Sequence, residues 1–296
     1  MDVETFELRL PHGITLSCRV AGAADAARTV LLLHGFPEAA FVWDEVMTAL
    51  APAARCVAPN LRGYERSSTP VAVEAYRAKH LVADLAAAIE ALGAPIDVLV
   101  AHDWGGAVAW NLVALRPELV RRFVAINSPH PGAFLRELRD SAEQQAASAY
   151  MNWLVQPQAA ALLAEDDFAP LFRTIDRFGR ADWMTPVLRE RYRAVWAMGL
   201  DGALNYYRAS PLRPPTEADR SIDTLVLPPS VLNVRVPTRV LWGDADEALR
   251  PGLLRGLNVW VPDLQVRHVA EASHWIVHER PGLVVETIAE ALAGLP

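Results

Sequence analysis

The residues best suited to chemistry sit at a turn. Ile96-Asp97-Val98-Leu99-Val100 is an apolar run of buried-strand type. It passes through Ala101-His102-Asp103-Trp104-Gly105 directly into a helical stretch, Trp104 to Leu115. Small residues, Ala101 and Gly105, stand two before and two after Asp103. That is the spacing of the sharp strand–turn–helix elbow usually written G-x-S-x-G. Such an elbow presents its central side chain at the carboxyl end of a sheet and needs small neighbours because strand and helix approach closely. Here the central residue is an aspartate, not Ser or Cys. A carboxylate is ionised at neutral pH and needs no base to activate it. Attack on an acyl group would give a reactive anhydride, whereas attack on a saturated carbon gives an alkyl ester that water can cleave. The elbow therefore predicts a substrate with a leaving group on sp3 carbon, an epoxide or an alkyl halide. Taken alone, Asp103 would also serve as an ordinary helix N-cap.

Three further segments complete a constellation. Leu31-Leu32-Leu33-His34-Gly35-Phe36-Pro37 is a buried strand ending in His-Gly. The loop after such a strand supplies the second backbone N–H of an oxyanion hole, so the expected donors are the N–H groups of Phe36 and Trp104. Val240-Leu241-Trp242-Gly243-Asp244-Ala245-Asp246 is a strand ending in glycine and acids, suited to an orienting carboxylate. Glu271-Ala272-Ser273-His274-Trp275 then offers a histidine. His274 is the expected general base that activates water against the ester. Asp246 would hold its tautomer and stabilise the imidazolium, with Asp244 as the competing candidate. Nucleophile, acid and histidine follow in the chain order expected of an elbow enzyme.

These side chains need a frame. Thr5 to Leu10 and Ile14 to Val20 alternate with period two around Pro11-His12-Gly13 and predict an antiparallel hairpin. Thr29 to Leu33, Cys56 to Pro59, Ile96 to Val100 and Phe123 to Ile126 are apolar on both faces, as buried parallel strands are. Helical stretches lie between them, at Val42 to Leu50, Tyr76 to Leu92 and Trp104 to Leu115. The expected class is α/β, a mostly parallel sheet with helices on both faces. From about Pro131 the strand signal stops. Residues 134–208 have helical character, and a Pro-rich stretch, Ser210 to Pro229, follows. Strands resume at Thr238 to Trp242 and Leu264 to Val269, and a last helix covers Pro281 to Leu292.

Composition agrees with this frame. Of 296 residues, 52% are apolar and 21% charged, which excludes a mainly disordered chain. Two cysteines, Cys18 and Cys56, imply no disulfide framework and make a reducing cytosol the default. The net charge of −7 argues against a nucleic-acid partner. No apolar run approaches the roughly 20 residues that span a bilayer. The N-terminal MDVETFELRL lacks a secretory pattern, so a cytoplasmic location is expected.

The whole set resembles the α/β-hydrolase superfamily and, within it, the epoxide hydrolases. The resemblance covers nearly the whole chain. It rests on His34-Gly35-Phe36-Pro37, His102-Asp103-Trp104-Gly105-Gly106, Asn127-Ser128-Pro129-His130-Pro131, Ala203-Leu204-Asn205-Tyr206-Tyr207-Arg208 and Ser273-His274-Trp275 with Glu279-Arg280-Pro281. It implies an α/β-hydrolase fold with an inserted helical cap: a core of residues 1–130 and 230–296 and a cap of residues 131–229. It also implies two cap tyrosines that bond and protonate the epoxide oxygen. Tyr150 matches the first and Tyr207 the second, with Tyr206 as a competitor. The poor alkoxide leaving group of an epoxide needs such an acid. The spacing after the glycine favours Asp246 over Asp244. His34, Pro37, Trp104 and Trp153 are the expected substrate contacts. The implied partners are a small apolar epoxide and water, without metal or organic cofactor, and a homodimer is left open. One departure stands out: Glu65 replaces the glycine the family often has after Arg62-Gly63-Tyr64, and is expected to alter a loop without loss of activity.

Two related dehalogenases and one non-enzyme compete. A haloalkane dehalogenase clamps halide with two N–H donors. Trp104 could be one and a cap tryptophan (Trp153, Trp183 or Trp196) the other, but Phe36 occupies the place of its usual asparagine. A haloacetate dehalogenase carries arginine where this chain has Trp104, and a His-Trp pair where it has Tyr150-Met151. A non-catalytic ligand receptor can keep the whole triad and would reveal itself by tight binding without turnover.

Overall fold

Strands apolar on both faces must be covered on both sides, and the chain meets that demand. The structure, a computed structural model, describes residues 2–179 and 181–295. Eight strands, β1 (Glu4–Arg9), β2 (Thr15–Ala21), β3 (Thr29–Leu33), β4 (Arg55–Pro59), β5 (Ile96–His102), β6 (Val120–Ile126), β7 (Thr238–Gly243) and β8 (Leu264–Val269), form one sheet in the order β1-β2-β4-β3-β5-β6-β7-β8. The expected hairpin is present, with Phe6 opposite Cys18, and β2 also pairs antiparallel with β4. Every other pairing is parallel. All seven residues of β5 are buried.

Three helices alternate with these strands: α1 (Asp44–Leu50), α2 (Ala78–Gly93) and α3 (Asp103–Leu115). The β3–α1–β4 crossover runs towards one edge of the sheet, while β4–α2–β5 and β5–α3–β6 run towards the other. Right-handed crossovers then put α1 on the face opposite α2 and α3. This reversal sits beside β5, so the elbow at its carboxyl end opens where strand order turns, the usual place for a ligand in an open α/β sheet.

Between β6 and β7 the chain forms helices: α4 (Pro131–Asp140), α5 (Ala142–Ala147), α6 (Tyr150–Leu154), α7 (Ala159–Phe178), α8 (Pro186–Trp196), α9 (Asp201–Ala209) and the short α10 (Pro229–Leu232). α7 is broken at Glu165–Phe168, where Asp166, Asp167 and Phe168 take left-handed backbone angles. After β8, α11 (Ile276–Glu279) and α12 (Pro281–Ala293) close the fold, and α12 packs against α1. Among the described residues, no helix is long and apolar enough to cross a membrane. No cluster of potential metal ligands occurs among them either.

Glu65 has left-handed backbone (φ 49°) and accepts hydrogen bonds from Ser17 Oγ (2.9 Å) and Asn60 Nδ2. The replacement for glycine thus keeps the glycine-like conformation. Its carboxylate ties the loop to β2.

Candidate active site

Asp103 follows the last residue of β5 and opens α3. Its φ of 48° lies in the left-handed region, a strain of order 1–3 kcal/mol held in place by the strand before it and the helix after it. The required closeness is visible at Gly105, where a Cβ would lie 2.5 Å from the His34 carbonyl oxygen. A Cβ on Gly35 would overlap the Asp103 carboxylate itself, so the loop after β3 can pass Asp103 only as glycine. The next residue in that loop, Phe36, donates its backbone N–H to Asp103 Oδ1 (2.7 Å). Trp104 N–H lies in the first turn of α3, where backbone donors have no intrahelical acceptor. The Asp103 carbonyl is fixed by Ser128 Oγ (2.8 Å).

The other Asp103 oxygen, Oδ2, faces His274 Nε2 at 3.8 Å. His274 Nδ1 lies 2.7 Å from Asp246 Oδ2 and donates to it, since an ionised carboxylate can only accept. Asp246 is fully buried and accepts three more hydrogen bonds: from Asn127 Nδ2 (2.7 Å) and from the N–H groups of Ala248 and Leu249 (both 2.8 Å). Asp244 instead meets His268 Nδ1 at 2.8 Å near the surface, so the structure brings Asp246 and not Asp244 to the histidine. Burial alone would lower the His274 pKa. The Asp246 charge and hydrogen bond, followed by the Asp103 and Glu38 charges, outweigh it and raise the pKa to about 9. The imidazole is therefore protonated at neutral pH, between two carboxylates.

Opposite this charged wall stand aromatic side chains from the helical segment. Asp103, Trp104, Tyr150 and Tyr207 all line a cavity of about 170 Å³, whose remaining wall is largely apolar and includes Phe134, Met151 and Leu249. The Tyr207 ring packs edge-on against Trp104 (4.9 Å between centroids) and Phe36 (5.3 Å), and lies 6.2 Å from the Tyr150 ring. Burial, with the Asp103 charge adding to it, pushes both phenols well above their ordinary pKa, so they stay protonated. Tyr206 also touches the cavity, but its hydroxyl donates to the Arg62 carbonyl (2.9 Å) and is spent there.

The expected substrate contacts divide. Trp104 is on the cavity wall; His34, Pro37 and Trp153 are not among the residues that line it. His34 is fully buried beneath the loop, with Nε2 accepting the Leu61 N–H (3.1 Å) and Nδ1 directed to the Gly35 carbonyl (3.1 Å). Burial lowers its pKa to about 4, which keeps it neutral, as that pattern requires. The Pro37 carbonyl accepts Trp196 Nε1 (2.6 Å) and so ties the loop to α8. Trp153 is 41% exposed on the outer side of α6. Trp183, the third candidate halide donor, stacks flat on His278 (3.9 Å). Among the described residues, no tryptophan besides Trp104 reaches the cavity.

Sequence reasoning assigned no role to several residues of the site. Asn127, named only within a motif, braces Asp246 and the Gly243 N–H (2.8 Å); a polar run directly after a buried strand was the available signal. Glu38 is a buried carboxylate behind the triad. Its Oε1 takes Tyr192 Oη and His278 Nε2 (both 2.7 Å), and its Oε2 faces His102 Nδ1 at 3.4 Å. His102 Nε2 in turn donates to the His274 carbonyl (2.9 Å). Phe178 packs against both Tyr150 (4.8 Å) and His274 (6.4 Å), and nothing in its local sequence marks it.

Comparison with known proteins gives consistent relatives. The family model for the alpha/beta hydrolase fold matches residues 28–281. The AB hydrolase superfamily protein YfhM of Bacillus subtilis is 34% identical over 286 residues, covering 95% of either chain. Epoxide hydrolase 4 of Mus musculus is 30% identical over 276 residues, covering 90% of this chain and 73% of that one. The crystal structure of Bacillus megaterium epoxide hydrolase in complex with an inhibitor superposes with a TM-score of 0.89 at 31% identity, over 97% of this chain and 100% of that one.

Proposed function

The chain belongs to the α/β-hydrolase fold family and, within it, to the epoxide hydrolases, and on that premise we propose that it opens an apolar epoxide to a vicinal diol through a covalent ester on Asp103. One observation carries this reading. A carboxylate, not a hydroxyl, stands at the elbow, with one oxygen on the Phe36 N–H and the other towards His274, in a cavity shared with two protonated phenols.

Residues 131–229 act as a lid whose tyrosines face the nucleophile. Asp103 attacks an oxirane carbon, the carbon–oxygen bond breaks, and Tyr150 and Tyr207 share and protonate the leaving oxygen. The product of this half is an alkyl ester. Forming it erases the Asp103 charge, one of the causes that hold the His274 pKa high. The imidazolium then gives up its Nε2 proton more readily, to the phenolate left by ring opening, and neutral Nε2 takes a proton from water. The hydroxide adds to the ester carbonyl carbon. The resulting oxyanion rests on the N–H groups of Phe36 and Trp104; its collapse expels the diol alkoxide, which takes the proton held on His274 Nε2, and the Asp103 acid so formed returns its proton to His274, restoring carboxylate and imidazolium. Halide chemistry is less well served, because no second indole N–H faces the cavity among the described residues.

Intact mass spectrometry of His274→Gln tests the reading. With styrene oxide the protein should gain one substrate mass, lost again in Asp103→Asn/His274→Gln. An adduct with bromobutane but none with the epoxide would transfer the protein to the dehalogenases.

A further inference from the structure

The cavity has a direction. Trp104, Ala107, Val108 and Asn111 line it, and on α3 they stand at i, i+3, i+4 and i+7, one face of the helix. The void therefore follows α3 for about 12 Å beyond Asp103. Near the elbow it is closed by buried Tyr207, which packs on Trp104, and Phe134 and Met151 of its wall are buried as well. Elsewhere on its wall Ala78 and Pro211 are exposed and Asn111 and Ser210 half-buried, so the channel reaches solvent.

Polar groups are scarce along this length. Tyr206 Oη is bonded to the Arg62 carbonyl, Ser210 Oγ accepts the Leu212 N–H (3.1 Å) and keeps its own O–H, and Tyr76 Oη is buried without a hydrogen-bond partner among the described residues. Asn111 differs. Its Nδ2 donates to the Ala107 carbonyl (2.8 Å); a carbonyl only accepts, so this fixes which end of the amide is nitrogen. Left over are Oδ1, to which no described residue donates, and the second N–H of Nδ2. Apart from Asp103, no charged side chain lines the void among the described residues. An ionic substrate tail would thus be stripped of water without a counter-charge. A hydroxyl, neutral and both donor and acceptor, matches what Asn111 offers.

Resting on the epoxide-hydrolase reading, we propose that the channel selects terminal epoxides with a short apolar chain or ring and a neutral hydroxyl at the far end, bound by Asn111. Subtracting the attack distance at Asp103 and a hydrogen bond at Asn111 leaves about 6 Å for the apolar part. That corresponds to a short alkyl chain or a single ring.

Steady-state kinetics on the terminal epoxides of hexane and octane, each with and without a hydroxyl on the last carbon, read this directly. In the wild type the hydroxyl should raise kcat/KM of the better-fitting length about tenfold. Asn111→Leu should abolish or invert that ratio, and Asn111→Gln, one methylene longer, should move the preference towards the shorter chain. Ala107→Leu fills the middle of the wall and should penalise the octane pair about tenfold more than propylene oxide. Equal rates with and without the hydroxyl in the wild type, a ratio that survives Asn111→Leu, or an equal penalty from Ala107→Leu would each overturn the proposal. Mass spectrometry of His274→Gln with the same compounds separates the two levels. Ester on every member without a hydroxyl preference sinks the channel assignment alone; no ester on any member sinks the enzymatic reading with it.

Discussion

The two walls of the cavity are held by different physics. On the core side, Asp103, Asp246 and His274 are charged; a strained elbow positions Asp103, two loop N–H groups hold Asp246, and the Asp246 carboxylate in turn holds His274. On the side of α6 and α9, Tyr150 and Tyr207 are neutral and are positioned by rings, against Phe178 and against Trp104 and Phe36. Burial acts oppositely on the two. It keeps a phenol protonated without help, whereas a buried charge must be matched bond for bond. The charged wall therefore tolerates little change, while the phenolic wall depends on packing that many apolar side chains could provide.

This contrast can be broken at graded cost. The largest effect is expected from Asp246→Asn, which leaves the shape but removes the charge that orients His274. Single-turnover ester hydrolysis should fall about ten-thousand-fold, while Asp244→Asn, on the exposed His268 pair, should stay within about twofold. Next comes the phenolic wall. Tyr150→Phe with Tyr207→Phe should slow ring opening about a thousandfold and leave hydrolysis of preformed ester almost unchanged; equal loss in both halves would show that the phenols serve packing alone. Smaller again is the coupling between carboxylate and histidine. The His274 pKa is raised from 6.5 to about 9, so its contribution to stability is complete below pH 6.5 and is lost as pH rises through about 9. Asp103→Asn should lower the imidazole midpoint followed by NMR, and a midpoint unchanged from wild type would refute the proposed release of the base by ester formation. Smallest of all, Trp153→Ala should change stability by less than about 0.5 kcal/mol and leave kcat/KM intact.

Legibility in the sequence followed the same division. The elbow, the order of the triad and all eight strands could be read, because sheet geometry ties spacing along the chain to position in space. Asp246 and Asp244, two residues apart, needed the family's spacing to separate them. The structure shows why they differ: Asp246 turns inward to Asn127 and His274, and Asp244 outward to His268. The helical segment between β6 and β7 was less legible. α6 is too short for its phase to be read, and its buried side is set by Met151 and Leu154, which leaves Trp153 outside. His34 and Pro37, expected at the substrate, instead serve the loop: His34 accepts the Leu61 N–H beneath it and the Pro37 carbonyl accepts Trp196 Nε1. Glu38 was invisible because its partners, Tyr192, His102 and His278, lie far apart in sequence.

Tyr206 and Tyr207 are consecutive on α9, one bolted to the Arg62 carbonyl and the other facing the nucleophile. If residues 131–229 move as the proposed lid, drawing that bolt would carry Tyr207 away from Asp103 in the same movement. On that reading an open form would hold a carboxylate without its acid, and safety and access would be divided between adjacent positions of a single helical turn.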